Sequence, residues 1–81
     1  MATNRTAIRE GDRQARRQAS RLGDELRELR LRASLTQSTV GQALGVHRTV
    51  ISPLEGGDPR VSLAIRFRTA ALVGADLRLS A

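Results

Sequence analysis

TQSTVGQALGVHRTVISPLE, residues 36–55, divides into two short helical patterns around one glycine. Thr36 suits a helix N-cap, because its hydroxyl can accept from a backbone N–H of the first turn. Val40, Ala43 and Leu44 then line one face of a short helix. Gly45 follows where a left-handed residue would end it. Val46 is apolar and opens the next segment. His47 stands at the start of a third helix carrying Val50, Ile51 and Leu54, and Gly56-Gly57-Asp58-Pro59 closes it with a loop. Ala43 is expected to let the two short helices approach closely.

Upstream, Leu22, Leu26, Leu29 and Ala33 fall at i, i+4, i+7 and i+11, one stripe of an amphipathic helix. Glu28 and Arg32 add an i, i+4 acid-to-base pair. Asp24, Glu25 and Glu28 cluster early in this helix, where acids favour the positive end of its dipole. Residues 1–12 are polar, lack a firm period and read as a mobile arm; RQARRQASR, residues 13–21, is compatible with helix but has no apolar face. Downstream, Ser62 caps a fourth helix in which Leu63, Phe67 and Ala70 face one way, and Gly74 is its expected stop. Ile65 and Leu72 form a second stripe, suited to the N-terminal segment, the C-terminal segment or a partner. In ADLRLSA, residues 75–81, Leu77 and Leu79 alternate with polar residues, the period of a strand. A lone strand is unstable, so it would pair with its copy in a second subunit. The expected organisation is an Arg-rich arm over 1–19, partly disordered or helical, a helical domain over 20–74 and a strand or tail over 75–81. The fold class is all-α, with four to five helices and a short C-terminal strand pairing across a dimer.

The 81 residues fit one domain with a limited core. There is no cysteine, which excludes a disulfide scaffold, a thiolate metal site and a cysteine nucleophile, and fits a reducing cytoplasm. No run of 18 or more apolar residues spans a membrane, and no apolar stretch follows the charged N-terminus as in a secretory signal. Net charge is +6, and all 14 basic residues are arginine. A GC-rich genome accounts for arginine in place of lysine; the net charge argues for a polyanion partner. Phe67 is the one aromatic residue. Single-stranded nucleic acids are held by stacking on several aromatic rings, so the expected polyanion is duplex DNA. Enzymatic activity, cofactors and metals are not expected: His47 is the one histidine, a cap explains it, and no phosphate-cradling glycine motif occurs.

Two helices about a tight glycine turn form the helix-turn-helix arrangement. LRELRLRASLTQSTVGQALGVHRTVISPLEGGD, residues 26–58, resembles the lambda-repressor-like, Cro-type (XRE) family of DNA-binding domains. The matching features are LR-x-LR in the first helix, Leu35-Thr36-Gln37, the Ala43-Leu44-Gly45-Val46 turn, Ile51-Ser52, Glu55-Gly56 and Ser62-Leu63. The likeness covers about Leu22 to Gly74. It implies that Gln37 bonds the DNA backbone while its helix N-terminus faces phosphate. It places the start of the third helix in the major groove, with Arg48 and Thr49 as base readers, His47 at the cap and Ser52 one turn later. Arg48 is the candidate for a guanine. Arg30 and Glu55 match a pair that forms a structural salt bridge in many members.

Pro53 departs from the pattern. Proline in a helix interior removes a donor and crowds the carbonyl four residues back, here that of Thr49. Ser52 is pushed from helical angles. The third helix is expected to survive for a turn and a half and bend near Ser52. Arg66 and Thr69 also stand where the family has apolar residues.

The resemblance implies a repressor-type regulator that binds a palindromic operator as a homodimer, cytoplasmic and nucleoid-associated when bound. The alternative is an antitoxin of the HipB kind, whose strand pairs across the dimer and which binds both its promoter and a toxin protein. A module of a longer protein, a degenerate, protein-binding helix-turn-helix and an anionic membrane surface are further readings. Arg5, Arg9, Arg13, Arg16, Arg17 and Arg21 form either a solvated tail or an arm that follows DNA.

Overall fold

The computed structural model describes residues 2–80, with side chains described for residues 4–74. Four helices follow one another: α1 (Ala2–Arg32), α2 (Gln37–Leu44), α3 (Arg48–Glu55) and α4 (Leu63–Ser80). No strand occurs among the described residues. The core is Leu26 of α1, Val40 and Leu44 of α2, Ile51 and Leu54 of α3, and Val73 of α4, edged by Leu22, Leu29, Leu35, Val46, Val61, Ile65, Ala70 and Leu72.

The caps follow from local chemistry. The Thr39 N–H donates to Thr36 Oγ1 at 3.0 Å and fixes the start of α2. Gly45 takes φ 72°, and the Val46 N–H reaches back to the Gly41 carbonyl at 2.8 Å, closing a Schellman end. The end of α1 has the same geometry without a glycine. Ser34 takes φ 59°, and the Leu35 N–H donates to the Arg30 carbonyl at 3.0 Å. Ser62 Oγ accepts from the Ile65 N–H at 3.3 Å to start α4.

Several expectations are corrected. Of the disordered and helical states expected for the N-terminal segment, the described residues take the helical one: α1 runs unbroken from Ala2. Its first half is exposed, so backbone hydrogen bonding and good helix formers, not burial, carry it. The close approach of α2 and α3 is made by Gly41, which is buried, and not by Ala43, which is exposed. A Cβ at Gly41 would stand 2.6 Å from the Val46 carbonyl oxygen. Pro53 does not break α3, which is continuous to Glu55. The carbonyl it deprives of a donor belongs to Thr49, an exposed residue, while buried Ile51, Leu54 and Glu55 anchor the helix to the core.

In α4 the face that packs inward is Ile65, Thr69, Leu72 and Val73, leaving Leu63 and Phe67 63% and 69% exposed. Thr69 is buried by donating its hydroxyl to the Ile65 carbonyl at 2.7 Å. Gly74 does not stop the helix; glycine weakens a helix interior by only about 1 kcal/mol. The strand expected over 75–81 is not found: the backbone stays helical to Ser80. A single chain offers an alternating segment no second strand, whereas helical extension satisfies each backbone group locally. The side chains of that segment lie outside the described residues. No helix among the described residues is long and apolar enough to cross a membrane.

Candidate nucleic-acid interface

The outward surface of α2 and α3 is built on a buried ion pair. Arg30 of α1 donates from Nε to Glu55 Oε2 at 2.7 Å and from Nη2 to Glu55 Oε1 at 2.9 Å. Its Nη1 donates to the Leu35 carbonyl at 2.8 Å, tying the α1–α2 turn to the same group. The hydrogen bond to Glu55 raises the Arg30 pKa, against the opposing effect of burial. Gln37, first residue of α2, donates from Nε2 to Glu55 Oε1 at 3.2 Å. One carboxylate at the end of α3 therefore orients the end of α1 and the start of α2.

His47 caps α3 in extended backbone, φ −75° and ψ 152°. The Thr49 N–H donates to His47 Nδ1 at 3.2 Å, and Thr49 Oγ1 lies 3.0 Å from the same nitrogen. For Nδ1 to accept, the ring proton must sit on Nε2. Arg48 follows as the first residue of α3, exposed and without an ion pair among the described residues. Thr49 and Ser52 are exposed on the same side of α3, opposite Ile51 and Leu54.

His47 and Arg48 share a hollow of about 300 Å³ with Ser38, Thr39, Gln42 and Val46. Gln37, Thr49 and Ser52 do not line it. Ser38 and Gln42 were missed in the sequence reading, although their i, i+4 spacing opposite Val40 and Leu44 marks the outward face of α2. Arg68 of α4 closes the other side of α2 by donating to the Leu44 carbonyl at 2.8 Å, a cation on a helix C-terminus. Among the described residues no group of three or more His, Cys, Asp or Glu side chains is placed to hold a metal ion.

This is the geometry of a short helix laid across the start of a second, outward-facing one. A family model described as a helix-turn-helix domain matches residues 21–80. The chain belongs to the helix-turn-helix domain family. No curated protein and no solved structure matches it. Helix-turn-helix membership implied by the Cro-type resemblance thus holds over most of the chain, while the HipB-like strand is not shown. The helix-turn-helix domain is a DNA-binding fold, and its motif here is α2, the Gly45 turn and α3.

The loop after α3 of this helix-turn-helix domain carries its own charge pair. Arg60 donates from Nη2 to Asp58 Oδ2 at 2.9 Å and from Nε and its backbone N–H to Oδ1 at 3.1 and 2.9 Å. The Arg60 side-chain hydrogen bond, with the backbone one, lowers the Asp58 pKa from 3.8 to about 2. The folded value is depressed, so the contribution to stability is full above 3.8 and disappears as the pH falls through about 2. Carboxyl carbon NMR is expected to show Asp58 titrating near 2, and Arg60→Gln to return it toward 3.8. An Asp58 titration unaffected by that substitution would disprove the pairing.

Proposed function

We propose that the chain is a sequence-specific double-stranded DNA-binding transcriptional regulator of the repressor type. The observation that carries this reading is Arg48: exposed at the start of α3, free of acidic partners among the described residues, and beside the polar outward face of α2. In this reading Arg48 takes a guanine edge, Thr49 and Ser52 meet neighbouring bases, and His47 offers Nε2–H to a base or phosphate. Gln37 and the N-terminus of α2 meet the backbone phosphate, Gln37 through the part of its amide that Glu55 does not hold. The chain acts as a binding module and not as a catalyst.

The operator is read by a homodimer. Supporting this is the exposed pair Leu63 and Phe67, one turn apart on α4 beside exposed Ala71, an apolar face that a second copy would cover. The same face also suits a toxin protein, which is the antitoxin reading; both readings are dimeric, and a toxin that co-purifies with the chain separates them.

The test is selection of bound sequences from random duplexes, followed by affinity measurement on the selected site. Arg48→Ala is expected to weaken the selected duplex by about 5- to 150-fold, corresponding to about 1–3 kcal/mol for one bidentate guanine contact, with little change on unrelated duplexes. Equal weakening on both would make Arg48 a phosphate contact. Pro53→Arg is run alongside: a palindrome selected by the variant and not by the wild type would mean that proline has removed a reader.

A further inference from the structure

Among the described residues, the first half of α1 contributes no side chain to the core. Residues 4–18 are exposed, and Ala19 is the first buried position. Such a polar helix, unsupported by packing, is marginal in water at about 12–15 residues. What it presents is charge. Arg5, Arg9, Arg13 and Arg16 fall at i, i+4, i+8 and i+11, one stripe along the helix, with Arg17 and Arg21 beside it. Only Glu10 and Asp12 oppose these six within the segment. Glu10 approaches Arg13 at 3.6 Å with both groups exposed, a pair of little strength.

The stripe runs into the body where α3 ends. Arg16 lines a hollow of about 540 Å³ with Pro53 and the loop Gly56 to Arg60, and Arg9, Asp12, Arg13 and Arg16 line the next one outward. Gly57 seats this loop on α1, since a Cβ there would stand 2.8 Å from the Ser20 Cα. Asp58 in the hollow is already engaged by Arg60 and does not cancel Arg16. Pro53 follows Thr49 by one turn on α3, so the stripe is continuous with the outward face that begins at Arg48.

We propose that Arg9, Arg13 and Arg16 hold the phosphate backbone of the same duplex, beyond the base pairs met by α3. The proposal rests on the DNA-binding reading. Charge complementarity and continuity with the α3 face select duplex phosphate as the occupant. From Arg9 to Arg16 the three extend about 10 Å at about 1.5 Å per residue, close to three base-pair steps at about 3.4 Å each.

The test is the salt dependence of binding to a duplex of about 40 base pairs, long enough to pass beneath α1. Arg9→Gln/Arg13→Gln/Arg16→Gln keeps good helix formers and removes the three charges. Its slope of log affinity against log salt is expected to fall by about 2.7 relative to wild type, at about 0.9 per phosphate contact. Arg17→Gln/Arg21→Gln is expected to change the slope by less than about 1. Lysine at the three positions is expected to restore it. A triple variant with the wild-type slope overturns the proposal while leaving α3 binding intact. A double variant losing as much slope as the triple overturns the assignment to this face. Lysine failing to restore the slope shows that helix loss and not phosphate contact was measured, and overturns it too. Wild-type chain that binds no duplex at low salt removes the DNA-binding reading itself.

Discussion

Glu55→Ala is expected to leave the chain largely unfolded and unable to bind any duplex, although the carboxylate is buried within the protein. Arg30 and Glu55 are 8% and 6% exposed. Three of the Arg30 donors are used, two of them on Glu55 and one on the Leu35 carbonyl. Truncating Glu55 leaves a guanidinium buried without its counter-charge, and Gln37 without its acceptor. Breaking one partner of a buried pair costs about 3–5 kcal/mol. That is comparable with the low end of about 5–15 kcal/mol expected for a domain, and this one has a small core. Urea unfolding followed by circular dichroism measures it. Arg30→Met/Glu55→Leu is the informative companion, because replacing both partners by apolar groups of similar volume is often neutral. A Glu55→Ala loss below about 1 kcal/mol would mean the pair does not hold the end of α3.

Gly23→Val is the second large effect. Gly23 lies on the inner face of α1, and a Cβ there would stand 2.6 Å from the Leu54 carbonyl oxygen and 2.7 Å from that of Glu55. Both obstacles are backbone, so no rotamer change relieves them. α3 must lift from α1, which strains the Arg30–Glu55 geometry and reopens the core at Leu26 and Leu54. A loss of about 3 kcal/mol is expected, at the top of the usual overpacking range. Gly56→Ala is the contrast. Its Cβ would meet the Ser52 carbonyl at 3.4 Å, and its φ of −76° suits any residue. Thermal melts are expected to show Gly56→Ala within about 1 kcal/mol of wild type. Equal melts for Gly23→Val and wild type would mean that the two helices do not pack at this distance.

The motif was readable because its signals are local. Thr36 caps α2 and Gly45 ends it through bonds within five residues, and Ile51 and Leu54 repeat at helical spacing. Arg30 and Glu55 are 25 residues apart, and neither periodicity nor capping pairs them; only the family likeness brought them together in advance. Which of the two apolar stripes of α4 meets the core was not readable for a related reason. α4 carries apolar residues around most of its circumference, so the pattern cannot say which side meets the core. The close approach was assigned to Ala43, and only the position of the Val46 carbonyl shows that Gly41 makes it.

The sequence by itself determined the two motif helices, their caps, the glycine turn and the surplus of arginine, since each depends on neighbours in the chain. Only the tertiary structure decided that Pro53 is tolerated, because burial of Ile51, Leu54 and Glu55 outweighs one missing backbone bond. It alone set Gly23 and Gly41 as contact points between helices. It also joined the N-terminal arginines to α1 as one continuous helix, bringing Arg16 beside Pro53. These depend on which surfaces meet across long separations, and in a core this small that is settled by packing.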